Sequence, residues 1–235
     1  MNSFAKDVLV DFVSLFYPRY CFACKDGLMK GEENICSRCM LELPRTQHHM
    51  EPENGLFARL NGRIRLTSAF AFFFFRKGGR LQQLLHALKY SNHPELAEMI
   101  GEVYGQELQQ DGIGQAFDLI VPVPLHPARK RQRGYNQSEE FAKGLSKSLN
   151  VRFADALTRT VKTETQTRKS KLGRWQNVSE VFQVSDPNQI RDKHVLLVDD
   201  VITTGATIEA CGQILLAKGA SLLSVSSIAY TDEGK

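Results

Sequence analysis

"VLLVDDVITTGAT", residues 195–207, places two adjacent carboxylates, Asp199 and Asp200, at the end of an apolar run and follows them with a Thr/Gly-rich turn. Val195 to Val198 predict a strand buried on both faces, because a run without polar alternation suits a sheet covered by helices on either side. The turn is expected to open a helix from about 206 to 218. Its backbone N–H groups and the positive helix end therefore favour a phosphate. Gly205 allows close approach of the backbone, and the hydroxyls of Thr203, Thr204 and Thr207 add donors. Carboxylates touching that phosphate would repel it. Asp199 and Asp200 are therefore assigned to another part of the same ligand, and vicinal hydroxyls, which donate to carboxylates, are the economical choice. A ribose 5-phosphate-like ligand meets both demands. The turn lacks the Gly-x-x-x-x-Gly-Lys spacing of a P-loop, and no Gly-x-Gly-x-x-Gly follows a strand. The plainer alternative, a strand–turn–helix whose Asp side chains cap the helix, stays open.

Outward from this stretch, short apolar strands alternate with helical periodicity. "SAFAFFFF" (68–75), "FDLIVPV" (117–123), "VFQV" (181–184) and "LLSVSSIAY" (222–230) read as strands. Helices are predicted around Leu81, Leu84, Leu85 and Leu88, from Leu96 through Ile100 and Val103, and around Phe141, Leu145 and Leu149. A basic loop separates "FDLIVPV" from the last of these. The pattern implies an α/β protein with a parallel sheet covered on both faces, whose ligands sit at the carboxyl ends of the strands. Residues 44–62 read as a linker, and no internal repeat or low-complexity tract is present.

The chain has 235 residues, 42% hydrophobic and 24% charged, with a net charge of +4. That is room for one sizeable domain and a small module, and it excludes a disordered chain. The opening "MNSFAKDVLVDFVSLFYP" is interrupted by Asp7 and Asp11, so it reads as an amphipathic docking helix with Phe4, Val8, Phe12, Leu15 and Phe16 on one face, not as a secretory signal. "SAFAFFFF" is far too short to span a membrane. A soluble, cytoplasmic protein is expected.

Four of the five cysteines fall within nineteen residues, "CFACKDGLMKGEENICSRC". Cys21 with Cys24 and Cys36 with Cys39 form two C-x-x-C pairs, each able to present two thiolates from a tight turn and together to close a tetrahedral shell around structural zinc. Disulfides or redox dithiols are the alternative, disfavoured by the lack of an export signal and of a βαβ setting. Loss of the metal is expected to unfold residues about 20–40 alone. Cys211, at helical spacing from Ile208, Ile214 and Leu215, is expected in the core.

Arg129, Lys130, Arg131 and Arg133 stand together, with no acid between Asp118 and Glu139. Arg168, Lys169, Lys171 and Arg174 form a second basic group. Such runs are commonly solvated surface. With Tyr135 and Trp175 nearby they also suit a single-stranded nucleic acid, the cations tracking its backbone and the rings stacking on bases. His86, His126 and His194 have no partner visible in the sequence and receive no role.

"VLLVDDVITTGAT" resembles the phosphoribosyl pyrophosphate (PRPP) signature of type I phosphoribosyltransferases. The ordered set "CFAC…CSRC", "LLHALKY", "VPVPLHPARKRQRGYNQSEEFAKGL", "TQTRKSKLGRWQNV" and the signature itself is similar to the ComF family of competence proteins, over about residues 20–230. The resemblance implies a Rossmann-like phosphoribosyltransferase core behind a zinc-ribbon-like N-terminal module. Its expected divisions are 1–45 for the helix and zinc finger, 46–110 for the linker and helical hood, and 111–235 for the phosphoribosyltransferase-like domain. It further implies that Asp199 and Asp200 hold the ribose 2- and 3-hydroxyls of PRPP, as the catalytic carboxylates if the protein is active. Thr203, Thr204, Gly205, Ala206 and Thr207 would then cradle the 5-phosphate. The loop carrying Arg129 to Arg133 would face the pyrophosphate, with Mg²⁺. Arg168, Lys169, Lys171 and Arg174 would lie on a flexible closing loop, and Lys89 and Tyr90 would help to read an acceptor base. Two functions follow. One is an accessory role in natural transformation, binding a PRPP-like ligand and single-stranded DNA beside other competence DNA-processing proteins. The other is a working, Mg-dependent phosphoribosyltransferase, a glycosyltransferase of nucleotide or cofactor metabolism.

Overall fold

The computed structural model describes residues 18–159 and 181–232. In chain order they form α1 (Ser37–Glu42), α2 (Gly55–Leu60), β1 (Ser68–Phe75), α3 (Arg80–Tyr90), α4 (Pro94–Gln110), β2 (Leu119–Pro122), α5 (Pro127–Arg133) and α6 (Gln137–Leu149). Then come β3 (Arg152–Phe153), β4 (Leu157–Arg159), β5 (Phe182–Val184), β6 (His194–Ile202), α7 (Ala206–Ala217) and β7 (Leu222–Thr231). The expected N-terminal helix and the second basic group, Arg168, Lys169, Lys171 and Arg174 with Trp175, lie outside the described residues.

Val195, Leu196, Leu197 and Val198 are each 0% exposed, which places β6 in the interior of the main sheet. Each such side chain contributes about 1.5–3 kcal/mol on burial. The sheet has five strands in the order β1-β7-β6-β2-β3, and every pairing within it is parallel. Alternate residues of β6 serve opposite faces. Val195 and Leu197 pack with Ile208, Cys211 and Leu215 of α7, whereas Leu196 and Val198 pack with Leu84 of α3, Ile100 of α4 and Phe141 of α6. Cys211 is thus the core residue its spacing implies.

"VFQV" departs from the expected sheet. As β5 it pairs antiparallel with β4 in a separate two-stranded ribbon. Its burial explains the difference: Phe182 is buried and Gln183 exposed, the alternation of a strand covered on one face only.

Helices α4 and α6 touch backbone to backbone. A Cβ on Gly144 would lie 2.1 Å from the Glu98 carbonyl, and one on Gly101 would lie 2.3 Å from the Phe141 carbonyl. This crossing holds α6 against the sheet and brings its N-terminus to the end of β6.

Residues 44–62 are no linker. Pro44 O accepts from Phe74 N, and Thr46 N donates to Phe72 O, covering the outer edge of β1. Farther along, α2 packs Leu56 and Leu60 into the α7 side of the sheet. Asn54 fixes its start, accepting from Leu56 N and Phe57 N while its Nδ2 donates to the carbonyls of His48, Glu51 and Ala69. No described helix is long and apolar enough to cross a membrane.

Candidate functional site

β6 carries Asp199 and Asp200, both partly buried, near its carboxyl end, and runs on past the expected Val198 limit to Ile202. Asp199 Oδ1 accepts from Ser138 Oγ and from Asp200 N, each at 2.9 Å. Asp200 Oδ1 accepts from Val201 N at 2.7 Å, and its Oδ2 lies 3.3 Å from Lys89 Nζ. Burial, and then the charge of Asp200, push Asp199 up to about 7, against the Ser138 hydroxyl, the Asp200 N–H and Lys89, which lower it. Neither carboxylate caps α7, whose N-cap is Gly205. They face a cleft of about 180 Å³ lined also by Arg129, Arg133, Ser138 and Arg159.

The turn after β6 closes a hollow of about 40 Å³ lined by Asp199 and residues 201–208. Gly205 has φ +78°, the left-handed region in which a side chain is strained. It is also crowded from behind, since a Cβ there would lie 2.5 Å from Leu60 Cδ2. Thr203, Thr204, Ala206 and Thr207 are exposed. Thr207 lines both the hollow and the larger cleft, so the two are continuous.

The basic loop of the sequence is in part a helix. In α5, Pro127 occupies the first turn, and His126 caps it by accepting from Ala128 N at 3.2 Å. Helical spacing splits the four cations. Arg129 and Arg133, four residues apart and so on one face, line the cleft with the carboxylates. Arg131 instead lines a neighbouring cavity of about 320 Å³. Lys130 turns away to Glu139 at 3.0 Å.

Tyr135 offers no stacking face. It is 7% exposed, and its hydroxyl donates to Leu88 O. Tyr90, 61% exposed, is the open ring. It lines the 320 Å³ cavity with Lys89, Asn92, Arg131, Gln132 and Arg133, and the Arg133 guanidinium lies 5.8 Å from its centroid. Lys89 and Arg133 border both cavities. The histidines take structural positions: His86 against Tyr90, His126 as a cap, and His194 bonded to Ser224 Oγ at 2.9 Å. Ser138, Arg159, Arg59 and Arg63 were not singled out by the sequence. The two last reach the turn from more than a hundred residues away, a separation no local motif records.

The ligand atoms of Cys21, Cys24, Cys36 and Cys39 all lie within 4.8 Å of one another, and none is in a disulfide. Four thiolates at about 2.3 Å from a central ion stand about 3.8 Å apart in a tetrahedron. The Cys24 and Cys36 sulfurs are 3.8 Å apart. Backbone N–H groups already point at the sulfurs, Ala23 N and Cys36 N at Cys21 Sγ and Cys39 N at Cys36 Sγ, which stabilises thiolate charge. Burial raises the Cys21 thiol, but N–H donation, that of Cys36 foremost, brings it down to about 7, whereas burial and the neighbouring thiols raise Cys39. The four sulfurs stand close enough together to share a metal ion such as zinc.

Comparison with known proteins agrees with this architecture. Residues 135–234 match the family described as "Phosphoribosyl transferase domain", giving the type I phosphoribosyltransferase fold. The chain is 32% identical over 234 residues to the "DNA utilization protein YhgH" of Escherichia coli K12, covering 92% of this chain and 99% of that one. It is 25% identical over 229 residues to the "Competence protein ComFC" of Bacillus subtilis, covering 96% and 90%. "Competence protein F" of Haemophilus influenzae is 35% identical over 114 residues, 48% of this chain and 50% of that one. Among solved structures, an adenine phosphoribosyltransferase covers 66% of this chain and is covered to 76%, with 20% identity and a TM-score of 0.41. With the cysteine module, the parallel sheet and the strand-end carboxylates all in place, the chain belongs to the ComF family.

Proposed function

We propose that the cleft binds a PRPP-like ligand and that the protein serves DNA uptake in natural transformation, with single-stranded DNA as its polymeric partner. One juxtaposition carries the first part. Asp199 and Asp200 line one cleft with Arg129 and Arg133, and Asp199 and Thr207 also line the hollow of the N–H-rich turn. A ribose 5-phosphate bearing a pyrophosphate has that sequence of charges: hydroxyls for the carboxylates to accept from, a phosphate for residues 203–207, and a polyanion for the arginines. Mg²⁺ accompanying the pyrophosphate would add positive charge there. In the cysteine cluster we assign zinc in a structural role, since all four positions are filled by thiolates. Free thiols arranged for a metal suit a reducing compartment, and the cytoplasm is the proposed location.

The DNA part rests on the names of the relatives and on the exposed cation-and-ring surface beside the cleft. Tyr90, with Arg131 and Arg133, offers a base one stacking face and its phosphates two cations. A second reading, an active Mg-dependent phosphoribosyltransferase, is favoured by the arginines lining the same cleft as the carboxylates. Charge separating at the ribose carbon as pyrophosphate leaves would be stabilised from both sides. A salt titration of fluorescent single-stranded DNA decides between them. The DNA-uptake reading expects binding that falls steeply with salt, is flattened by R129A/R133A and weakened by Y90A, and competes with PRPP. No DNA binding at physiological salt, together with acceptor-dependent release of pyrophosphate from PRPP, would overturn it in favour of the transferase.

A further inference from the structure

Two guanidinium groups grip the outer side of the 203–207 turn. Arg59, in α2, donates from Nη1 to Thr203 O at 2.6 Å and to Thr231 O at 2.8 Å, with its Cζ 4.7 Å from the Tyr230 ring centroid. Arg63, three residues past α2, donates from Nη1 to Thr204 O at 2.6 Å and pairs through Nη2 with Glu209 at 2.7 Å. No described peptide bond is cis. In a trans peptide, the carbonyl of one residue and the N–H of the next lie in one plane and point in opposite directions. Holding Thr203 O toward Arg59 therefore turns the Thr204 N–H the other way, and holding Thr204 O toward Arg63 does the same for the Gly205 N–H. Neither arginine lines the 40 Å³ hollow, which is walled by Asp199 and the residues of the turn and its flanks.

We propose that Arg59 and Arg63 are positioning residues: they set the Thr204 and Gly205 N–H groups toward a phosphate in the hollow without touching it. This rests on the ribose-phosphate reading of the cleft. The mounting of the arginines supports it. Asn54 ties the start of α2 to β1 through Ala69 O, Tyr230 Oη donates to Gly55 O at 3.2 Å, and Leu60 fills the space beneath Gly205. A fixed donor on a fixed helix holds the turn ready before ligand arrives, so no ordering cost falls on binding. The phosphate site is then a joint product of the signature motif and of residues 54–63, which carry no signature at all.

Calorimetry with two probes, ribose 5-phosphate and magnesium pyrophosphate, tests this on the full chain and its variants, with melting temperatures recorded for each. R59A and R63A are each expected to weaken ribose 5-phosphate about tenfold, the value of one charged hydrogen bond, while pyrophosphate changes less than about twofold. R63K should recover most of the loss. R59K should recover part, because one ammonium cannot reproduce two carbonyl contacts and a ring contact. R63A/E209Q separates positioning from charge neutralisation. Affinity as weak as in R63A supports positioning, and recovery overturns it. Unchanged ribose 5-phosphate affinity in R59A and R63A, or equal losses for both probes, also overturns it. If the alanine variants do not fold, R59K decides: a selective loss supports the proposal and no loss defeats it. An unmodified protein that binds neither probe contradicts the reading of the cleft itself, and the positioning role falls with it.

Discussion

Asp199 is the residue on which site and stability meet. Its carboxyl, ordinarily near 3.8, titrates at about 7 in the folded chain, from burial first and then the charge of Asp200. A raised carboxylate favours the folded state below its unfolded pKa, and that advantage is lost as pH rises through the folded value. Asp199→Asn keeps an oxygen for Ser138 and the Asp200 N–H but removes the charge. It should therefore melt with the unmodified protein near pH 4 and rise progressively above it between pH 4 and 8. A variant less stable than the unmodified protein at pH 8 would show that the charge is compensated. The carboxylate pair was legible in the sequence because both members are adjacent at a strand end. Ser138, its hydroxyl partner, was not, since it stands sixty-one residues away in the chain and reaches Asp199 only through the packing of α6 on β6. Tyr135 was misjudged for a related reason: ring type is visible in a sequence, but burial under α3 is not, and Tyr90 holds the exposed face instead.

At the scale of elements, α5 shows what periodicity hides. It has no buried residue, so no apolar stripe announces it, and Pro127 with a capping residue before it is the only helical signal. Once helical, its charges are no longer equivalent. R129A/R133A should weaken PRPP and single-stranded DNA by at least about tenfold, one charged contact or more. K130A, which breaks only an exposed pair with Glu139, should change either by less than about threefold. Equal effects of the two changes would mean that the segment acts as an undivided basic patch. The segment 44–62 was read as a linker although Leu56, Leu60 and Ile64 already recur every four residues. Pro, His and Gly residues around that short run masked it. The crossing of α4 and α6 depends on glycines, and Gly144→Ala, meeting Glu98 O at 2.1 Å, should cost about 1–3 kcal/mol by denaturant unfolding. A neutral effect would show that the helices part easily.

Across the whole molecule, four of the five strands of the main sheet were legible because they are apolar and separated by helical periods, whereas the edge strand β3, two residues with an exposed Arg152, was not. The ribbon of β4 and β5 was not, because three residues carry too little pattern to show which partner they take. The cysteine module was expected to melt by itself. Its buried residues, Cys21, Ala23, Ile35, Cys39 and Leu43, belong instead to the core that holds Phe72, Leu81 and Leu84. Stripping the metal should then lower the melting temperature of the entire chain, since thiolate ligation contributes folding free energy directly. Two separate transitions by calorimetry would show a module that folds independently. The central claim, a ribose-phosphate ligand held by strand-end carboxylates, meets its most direct test in the melting temperature with and without saturating PRPP and Mg²⁺. A ligand at a hundred times its Kd stabilises the folded state by about 2.7 kcal/mol, or about 5–10 °C for a chain of this size. The expected result is that shift in the unmodified protein and none in D199N/D200N, whose ligand-free form melts no lower. A shift of the same size in the double variant would contradict the account and place the ligand elsewhere.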